Sequence, residues 1–208
     1  MNYLSASEYE AYGLETTTPP SWVTTASALM DAHCRRTTLA VAQYVERIRI
    51  DPGRNTLRLS YLPLALVAPA TSPVVAARGR YGIPRRGDDS AGELAFDAAQ
   101  AFSLPGTWTD LDPSAIDFFA ETGELALPLN PLGLWYSELE VTYTAGLDVL
   151  PDAVKTACAQ IVRNAQATPA LNVRVGRLDR VRLDYFADTL FDQNVCALLA
   201  PYVAQKVG

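Results

Sequence analysis

The side chains best suited to metal binding or nucleophilic chemistry are few and widely spaced. The 208-residue chain has one histidine and three cysteines, which are His33, Cys34, Cys158 and Cys196. A structural zinc site needs about four such ligands, so one adjacent His–Cys pair cannot supply it. Triad catalysis would have to use His33, which lies inside a predicted helix, and the chain has no nucleophile elbow. We therefore predict no catalytic residue, no metal site and no cofactor, and we expect that the protein is not an enzyme.

A second group of residues combines arginine with glycine between positions 78 and 87. Its arginines are Arg78, Arg80, Arg85 and Arg86. The spacing matches neither G-x-x-x-x-G-K-[ST] nor G-x-G-x-x-G, and no helix start follows at once, so a phosphate-binding loop is not indicated. We expect an exposed basic loop that contacts a neighbouring protein. The acidic residues that follow lack the spacing of an EF-hand calcium loop.

Composition and charge limit the class of protein. Hydrophobic residues make up 49% of the chain, which is enough for a core, and the length suits one domain or one domain with an elaboration. The N-terminal sequence lacks the basic and apolar regions of a secretory signal, and three dispersed cysteines do not suggest a disulfide framework, so we expect a cytosolic origin. A net charge of −6 disfavours a tight grip on nucleic acid.

Two stretches have the apolar spacing of amphipathic helices, residues 21–36 and residues 151–167. Ser21 is a candidate N-cap for the first. Pro151 and Asp152 suit the first turn of the second, where a missing N–H is tolerated and a negative charge meets the helix dipole. We expect the two helices to pack together as the core of a small helical bundle.

A shorter helix is predicted near the N-terminus. Ser5 and Glu8 have the spacing of a capping box, in which the glutamate side chain reaches back to the N-cap. The helix is expected to run from about Ala6 to Tyr12 and to stop at Gly13.

The β part is expected in residues 44–67 and 124–145. Residues 44–50 and 56–61 alternate like strands and are separated by the turn-rich segment 51–55, which favours a hairpin. Residues 139–145 alternate in the same way, and Gly146 is expected to end that strand.

The composition changes over residues 78–122, where glycine, proline and aspartate become frequent. We interpret 78–112 as a long projecting loop with some β structure, whose deletion should leave a folded subunit. Residues 116–119 and 124–127 then resemble a hairpin around Thr122 and Gly123.

We interpret residues 170–208 as a C-terminal arm. Four arginines alternate with apolar residues in it: Arg174, Arg177, Arg180 and Arg182. This pattern fits an edge strand or loop that is exposed to solvent. It fits equally a positively charged arm that binds a partner, on a protein whose net charge is negative. Asp192 is a candidate cap for a last helix. Four apolar side chains follow as a possible anchor: Leu198, Leu199, Tyr202 and Val203.

The segment LEVTYTAGLDVLPDAVKTACAQIV, residues 139–162, resembles the second half of the head–tail connector (adaptor) proteins of long-tailed bacteriophages. Three other stretches resemble that family in the same order. They are the amphipathic helix of 21–38, the strands YVERIRI and NTLRLSYLPLALV within 44–67, and the C-terminal LDRVRLDYFADTLFDQNVCALLAPYV. The resemblance does not cover about residues 78–122, which we interpret as an insertion.

The resemblance implies a single α+β connector domain over residues 1–208 that forms a ring of about twelve copies beneath the portal. Such a ring extends the DNA channel, lets double-stranded DNA pass without sequence preference and docks a stopper or tail-completion protein. The protein would be made in the host cytoplasm and located in the virion neck, with no membrane association. The portal-binding hypothesis assigns the arginines and apolar anchor residues of the arm to the portal contact.

Two alternatives remain at this stage. One is a standalone β-rich module that binds carbohydrate or protein, with helices packed on one side. The other is an enzyme with an unrecognised acidic site, because the spatial separation of carboxylates cannot be read from sequence.

Overall fold

The computed structural model of the chain describes residues 2–51, 54–82, 90–104, 106–128, 136–167, 175–178, 181–184 and 190–205. It contains both helices and antiparallel sheets, so the fold is α+β as expected. The chain divides into two compact units. The helical unit comprises Met1–Leu39 and Val149–Val203, and the β unit comprises Ala40–Asp148 and Ala204–Gly208. That the whole chain is one connector domain with an insertion stays a prediction.

The described helices are α1 (Pro20–His33), α2 (Ser90–Ala101), α3 (Asp152–Ala167) and α4 (Gln193–Leu199). The described strands are β1 (Ala42–Arg49), β2 (Thr56–Arg58), β3 (Val74–Tyr81), β4 (Trp108–Leu111), β5 (Asp117–Phe119), β6 (Glu124–Ala126), β7 (Tyr136–Ala145), β8 (Val175–Leu178) and β9 (Val181–Asp184). Short 3₁₀ turns occur at Ala6–Glu8, Glu10–Tyr12, Pro113–Ala115 and Ala200–Tyr202.

The helical unit is organised around α3, against which both α1 and α4 pack. The buried stripe of α3 includes Val154, Cys158 and Ile161, each at most 1% exposed, and Met30 of α1 is fully buried. The predicted pairing of the two long helices is therefore confirmed.

The predicted ends of α1 were wrong. Pro19, not Ser21, occupies the N-cap, and Pro20 takes the first helical position, where the missing N–H of proline is harmless. The helix ends at His33 because Arg35 has a left-handed backbone, with φ of 55°.

The β unit contains two antiparallel sheets. The first has the order β1-β7-β3-β4, and the second has the order β2-β6-β5. Residues of both sheets form a shared hydrophobic cluster. Its fully buried members include Leu125, Leu139, Val141 and Tyr143.

The predicted hairpin of 44–50 with 56–61 was wrong. β1 pairs along its whole length with β7, whereas β2 pairs with β6 of the other sheet. The turn-forming residues after β1 therefore carry the chain from one sheet to the next. The second predicted hairpin is confirmed, because β5 pairs with β6 and Gly123 adopts a positive φ of 67° in its turn.

The boundary placed at residue 78 was also wrong. β3 continues to Tyr81 and lies inside the first sheet, between β7 and β4. Gly79 is needed there, because a Cβ atom would come within 2.4 Å of the Tyr136 ring. The stretch 78–112 thus supplies half of β3, the helix α2 and all of β4, while residues 83–89 lie outside the described residues.

Candidate interaction surfaces

The C-terminal arm contains a two-stranded hairpin formed by β8 and β9. Arg177 and Arg182 occupy directly opposite positions in its register. Arg174 and Arg180 lie outside the described residues.

The end of the chain after this hairpin is a short capped helix. The carboxylate of Asp192 accepts a hydrogen bond from the Val195 N–H at 2.8 Å, as the sequence predicted. Asn164 of α3 donates a second hydrogen bond to the Asp192 carboxylate at 3.2 Å, which ties α4 to α3. Together these bonds keep the pKa of Asp192 below its usual value, with the Val195 N–H as the main cause.

The four predicted anchor residues of the arm do not share one environment. Leu199 is fully buried, so it packs within the fold of its own chain. Leu198, Tyr202 and Val203 are half-buried. These three side chains therefore keep some surface for a partner, while Leu199 stabilises the position of α4.

An apolar groove lies on the helical unit between α1 and α3. Its volume is about 290 Å³. Apolar side chains from both helices and from the chain before α4 line it: Trp22, Ala26, Leu29, Ile161, Val162, Ala165 and Leu190. Trp22 remains 40% exposed at its edge. The sequence predicted an apolar side for the helix of residues 21–36, but it could not show that the packing leaves part of this side open.

The exposed face of the first sheet carries a network of opposite charges. Arg78 pairs with Glu140 at 2.8 Å, and Arg80 pairs with Glu138 at 3.5 Å. Arg47 pairs with the same Glu138. Two of the four arginines assigned to a neighbour-contact loop therefore lie in a sheet, while Arg85 and Arg86 lie outside the described residues.

The ion pairs shift the pKa values of Glu138 and Arg78 in the directions that favour their charged forms. The hydrogen bond from Arg47 is the main cause that lowers the pKa of Glu138. The bond to Glu140 raises the pKa of Arg78. The guanidinium groups of Arg47 and Arg78 also both lie 5.1 Å from the centre of the Trp108 ring, which is the geometry of cation–π contacts.

A polar cleft of about 540 Å³ lies in the β unit where β1 ends and β2 begins. Its lining includes Arg49, Arg54 and Arg58. Arg58 donates a hydrogen bond from Nε to the carbonyl oxygen of Thr122 at 3.0 Å. The cleft has the size and the donors to hold a small anionic or hydroxyl-rich group. Sequence analysis missed it, because its arginines are brought together by strands of two different sheets.

The candidate chemical residues occupy unreactive settings. Burial raises the pKa values of the Cys34 and Cys158 thiols to about 11, which leaves them poor nucleophiles. The His33 ring is half-buried and stacks on Phe191, with ring centres 4.8 Å apart. In the part of the chain that the structure describes, no three His, Cys, Asp or Glu residues are grouped to hold a metal ion.

Comparison of the chain with models of known protein families and with curated proteins finds no match. Among the described helices, none combines the length and the apolar character that a membrane crossing requires.

Proposed function

We propose that the protein is a structural adaptor of a virion neck, which forms an oligomeric ring beneath the portal. In this function the ring extends the DNA channel and docks a stopper or tail-completion protein. The observation that carries the proposal is the strand, glycine turn and helix of β7, Gly146 and α3, with α1 packed against α3. This is the segment in which the sequence resembles the head–tail connectors, and its strand, turn and helix are those that the residue pattern predicts.

The surfaces of the chain suit a structural protein that binds other proteins. A ring subunit makes heterologous contacts, in which two different surfaces of the same chain meet. The described residues offer several distinct surfaces of this kind, including an apolar groove on the helical unit and a charged sheet face on the β unit. Within each unit, packed helices or paired strands would hold the side chains of its own surface in place.

The net charge supports passage of DNA rather than capture of it. At −6, the chain as a whole repels a phosphate backbone, and tight DNA binding depends on neutralising phosphates with lysine or arginine. A channel that must release DNA during ejection benefits from this weak binding.

The portal contact is assigned to the C-terminal arm. Arg177 and Arg182, which belong to the β8–β9 hairpin, would meet acidic groups of the portal. Tyr202 and Val203 are half-buried and would supply an apolar anchor beside them.

Truncation after Pro201 tests this assignment. It removes Tyr202 and Val203 but leaves α4 and its buried Leu199 in place. We expect a folded protein by circular dichroism that no longer binds portal rings of the same phage in a pull-down. As a matched control, Ala197→Ser alters an exposed side chain of α4 and should leave binding unchanged. A truncated protein that binds portal rings as well as the full chain would exclude the arm's end from the contact.

A standalone binding module is the second candidate function, and the arginine-lined cleft of the β unit is the observation that favours it. Light scattering separates the two candidates. A protein that remains monomeric with and without portal rings, and that binds a glycan or peptide through this cleft, would favour the module. Substitution of Arg49 and Arg58 by alanine should then abolish ligand binding without changing the fold.

A further inference from the structure

β1 and β4 form the two edges of the four-stranded sheet of the β unit. Among the described residues, no further strand pairs with the outer side of either one. Gln43, Val45, Arg47 and Arg49 of β1 are all exposed, and Val45 is 64% exposed. Open edges offer backbone N–H and C=O groups to any strand that lies alongside them.

The direction of the backbone groups on β1 follows from one hydrogen bond at its end. Ile50 donates its N–H to the carbonyl oxygen of Ser137 at 2.8 Å, in line with the β1–β7 register. Hydrogen-bonded pairs recur at every second residue of an antiparallel ladder. The even-numbered residues of β1 therefore bond to β7, and the backbone groups of Arg47 and Arg49 point away from the sheet.

The same reasoning applies to β4. Tyr81 donates its N–H to the carbonyl oxygen of Thr107 at 3.1 Å, which sets the phase of the β3–β4 ladder. Thr109 and Leu111 then bond to β3. The backbone groups of Trp108 and Asp110 point outwards.

The side chains on the exposed face form two rows of partners across the four strands. From β1 to β4, the first row is Arg47, Glu140, Arg78 and Asp110. The second row is Arg49, Glu138, Arg80 and Trp108. The first row alternates in charge and runs from a cation at one edge to an anion at the other. The second runs from a cation to an aromatic ring.

We propose that β4 of one copy of this chain pairs with β1 of the next copy, so that the sheet continues from subunit to subunit. In this pairing Arg47 lies opposite Asp110 of the neighbour, and Arg49 lies opposite its Trp108. This inference rests on the proposed ring function and names one of its subunit contacts. The contact is heterologous, because β1 and β4 are different edges, so it repeats from copy to copy and gives a ring when the rotation between copies closes.

Three features support the pairing. All neighbouring strands of the sheet are antiparallel, so β4 of one copy and β1 of an equally oriented copy are antiparallel as well. The outward backbone groups of Arg47 and Arg49 match those of Asp110 and Trp108 in phase, a condition that every second register meets. Among these registers, the one with Arg47 opposite Asp110 continues the alternation of charge along the first row.

The competing interpretation is that charged residues on these edges keep the sheet from pairing at all, as they do in many proteins. The signs of the charges favour pairing here, because the β1 edge is basic and the β4 edge carries Asp110. Charges of this kind select partner and register more than they add affinity.

Disulfide trapping tests the register without disturbing either row. Continued one residue beyond the end of β4, the pairing places Val45 opposite Asp112 of the neighbour, which caps the 3₁₀ turn Pro113–Ala115. Opposed Cα atoms in such a pair are about 5.5 Å apart, within the range of a disulfide. One preparation carries Val45→Cys and a second carries Asp112→Cys, both with Cys196→Ser because Cys196 is half-buried. Cys34 and Cys158 are buried and stay in place.

Oxidation of the mixed preparations is expected to give a covalent dimer that contains one copy of each variant. Each preparation oxidised alone is the matched control and should give no dimer, because a heterologous contact never brings two copies of one edge together. Dimers of equal yield in the separate preparations would overturn the pairing. Absence of the mixed dimer would overturn it too, and light scattering before oxidation then shows whether a ring forms through another contact.

Proline substitution tests the role of the backbone. Arg49→Pro removes an N–H that points away from the sheet, so the fold should tolerate it at an edge. Gln43→Pro makes the same change on the same edge, beyond the reach of β4. We expect Arg49→Pro to weaken self-association by about tenfold relative to Arg49→Ala, the effect of one lost hydrogen bond, and Gln43→Pro to leave it unchanged. Equal association of Arg49→Pro and Gln43→Pro would contradict the proposal.

Discussion

Glu8 is the residue at which local and distant interactions meet. Its carboxylate accepts hydrogen bonds from the N–H and the hydroxyl of Ser5, at 3.0 and 2.6 Å. It also pairs with Lys155 near the start of α3. The bond from Lys155 is the main cause that lowers the pKa of Glu8 to about 2. The N-terminal turn is thereby fastened to the long helix of its unit.

This low pKa predicts an acid-sensitive contribution to stability. A depressed folded-state pKa means that the contribution is complete above the ordinary value of 4.5 and is lost as the pH falls towards 2. Because the pair is partly exposed, we expect about 0.2–1 kcal/mol. Urea unfolding of the wild type and of Glu8→Gln should therefore differ at pH 6 and converge near pH 2. A difference that stays the same over this range would show that Glu8 contributes no ionic term.

Gly146 ends β7 in a conformation that other residues rarely adopt. Its φ is 132°, and a Cβ atom would lie 2.3 Å from the backbone oxygen of Ala40. Gly106, also in the β unit, has a positive φ of 81° but a Cβ there would meet only the Arg80 side chain, at 3.6 Å. A side chain would strain the backbone at both glycines, but only at Gly146 would it also clash with neighbouring backbone atoms.

We predict that Gly146→Ala destabilises the protein clearly more than Gly106→Ala. Backbone strain alone costs on the order of 1–3 kcal/mol at either site, and only Gly146→Ala adds a clash with rigid backbone. Thermal or urea unfolding of both variants measures the difference. Equal losses of stability would mean that the backbone around Ala40 moves to make room for the added methyl group without a cost in free energy.

For single residues, the sequence predicted contacts between near neighbours in the chain but not contacts between residues far apart in it. The spacing of Ser5 and Glu8 predicted the reach of Glu8 back to Ser5, and the end of the strand at Gly146 was visible from the period-2 pattern. The pairing of Glu8 with Lys155, 147 residues away, depends on tertiary folding and leaves no local signal.

The helix α3 is the element that most directly links the predicted pattern to the observed core. Ile161 is 1% exposed and belongs to the stripe that packs against α1. A charge at this position would have no partner and would lie away from water.

We predict that Ile161→Asp unfolds the helical unit or leaves it with only residual stability. An uncompensated buried charge costs on the order of 3–5 kcal/mol, comparable with the whole stability of many domains. Thr156→Asp on the exposed side of α3 is the matched control and should remain native. Circular dichroism and thermal unfolding report both. A cooperative, native-like Ile161→Asp protein would show that this stripe is not part of the core.

Residues 78–112, which the sequence suggested to be a projecting loop, belong in part to the first sheet. It contains the second half of β3, which lies between two other strands, and the whole of β4. We therefore predict that its deletion unfolds the β unit, because the sheet loses an edge strand and half of an interior one. A soluble deletion variant with native-like thermal unfolding would contradict this and would return the stretch to the status of a peripheral loop.

The elements show where sequence patterns carry information and where they do not. Helices α1 and α3 were predicted because apolar residues recur in each at helical spacing over three or four turns. Strands were recognised by alternation, but alternation does not name a partner, so β1 was assigned to β2 and not to β7. Glycine and arginine at 78–81 suggested a loop, yet Gly79 is required beneath Tyr136 and the arginines pair with glutamates of β7.

At the scale of the whole molecule, the proposed function joins features that no single residue explains. The net charge of −6 suits a channel through which DNA must move, and the arginine residues of the C-terminal arm suit an acidic partner. The opposite edges of the first sheet carry complementary charges, which would let identical copies meet in a fixed register. The candidate surfaces could not be located from sequence, because the groove, the cleft and the charged rows each combine residues from distant parts of the chain.

The central claim is that copies of this chain assemble into a ring that sits on the portal. Electron microscopy of the purified protein, alone and mixed with portal rings of the same phage, tests it most directly. We predict a ring of about twelve copies stacked on the axis of the portal, with an open central channel. Portal rings that remain bare at saturating protein concentrations, together with a protein that stays monomeric by light scattering, would contradict the account.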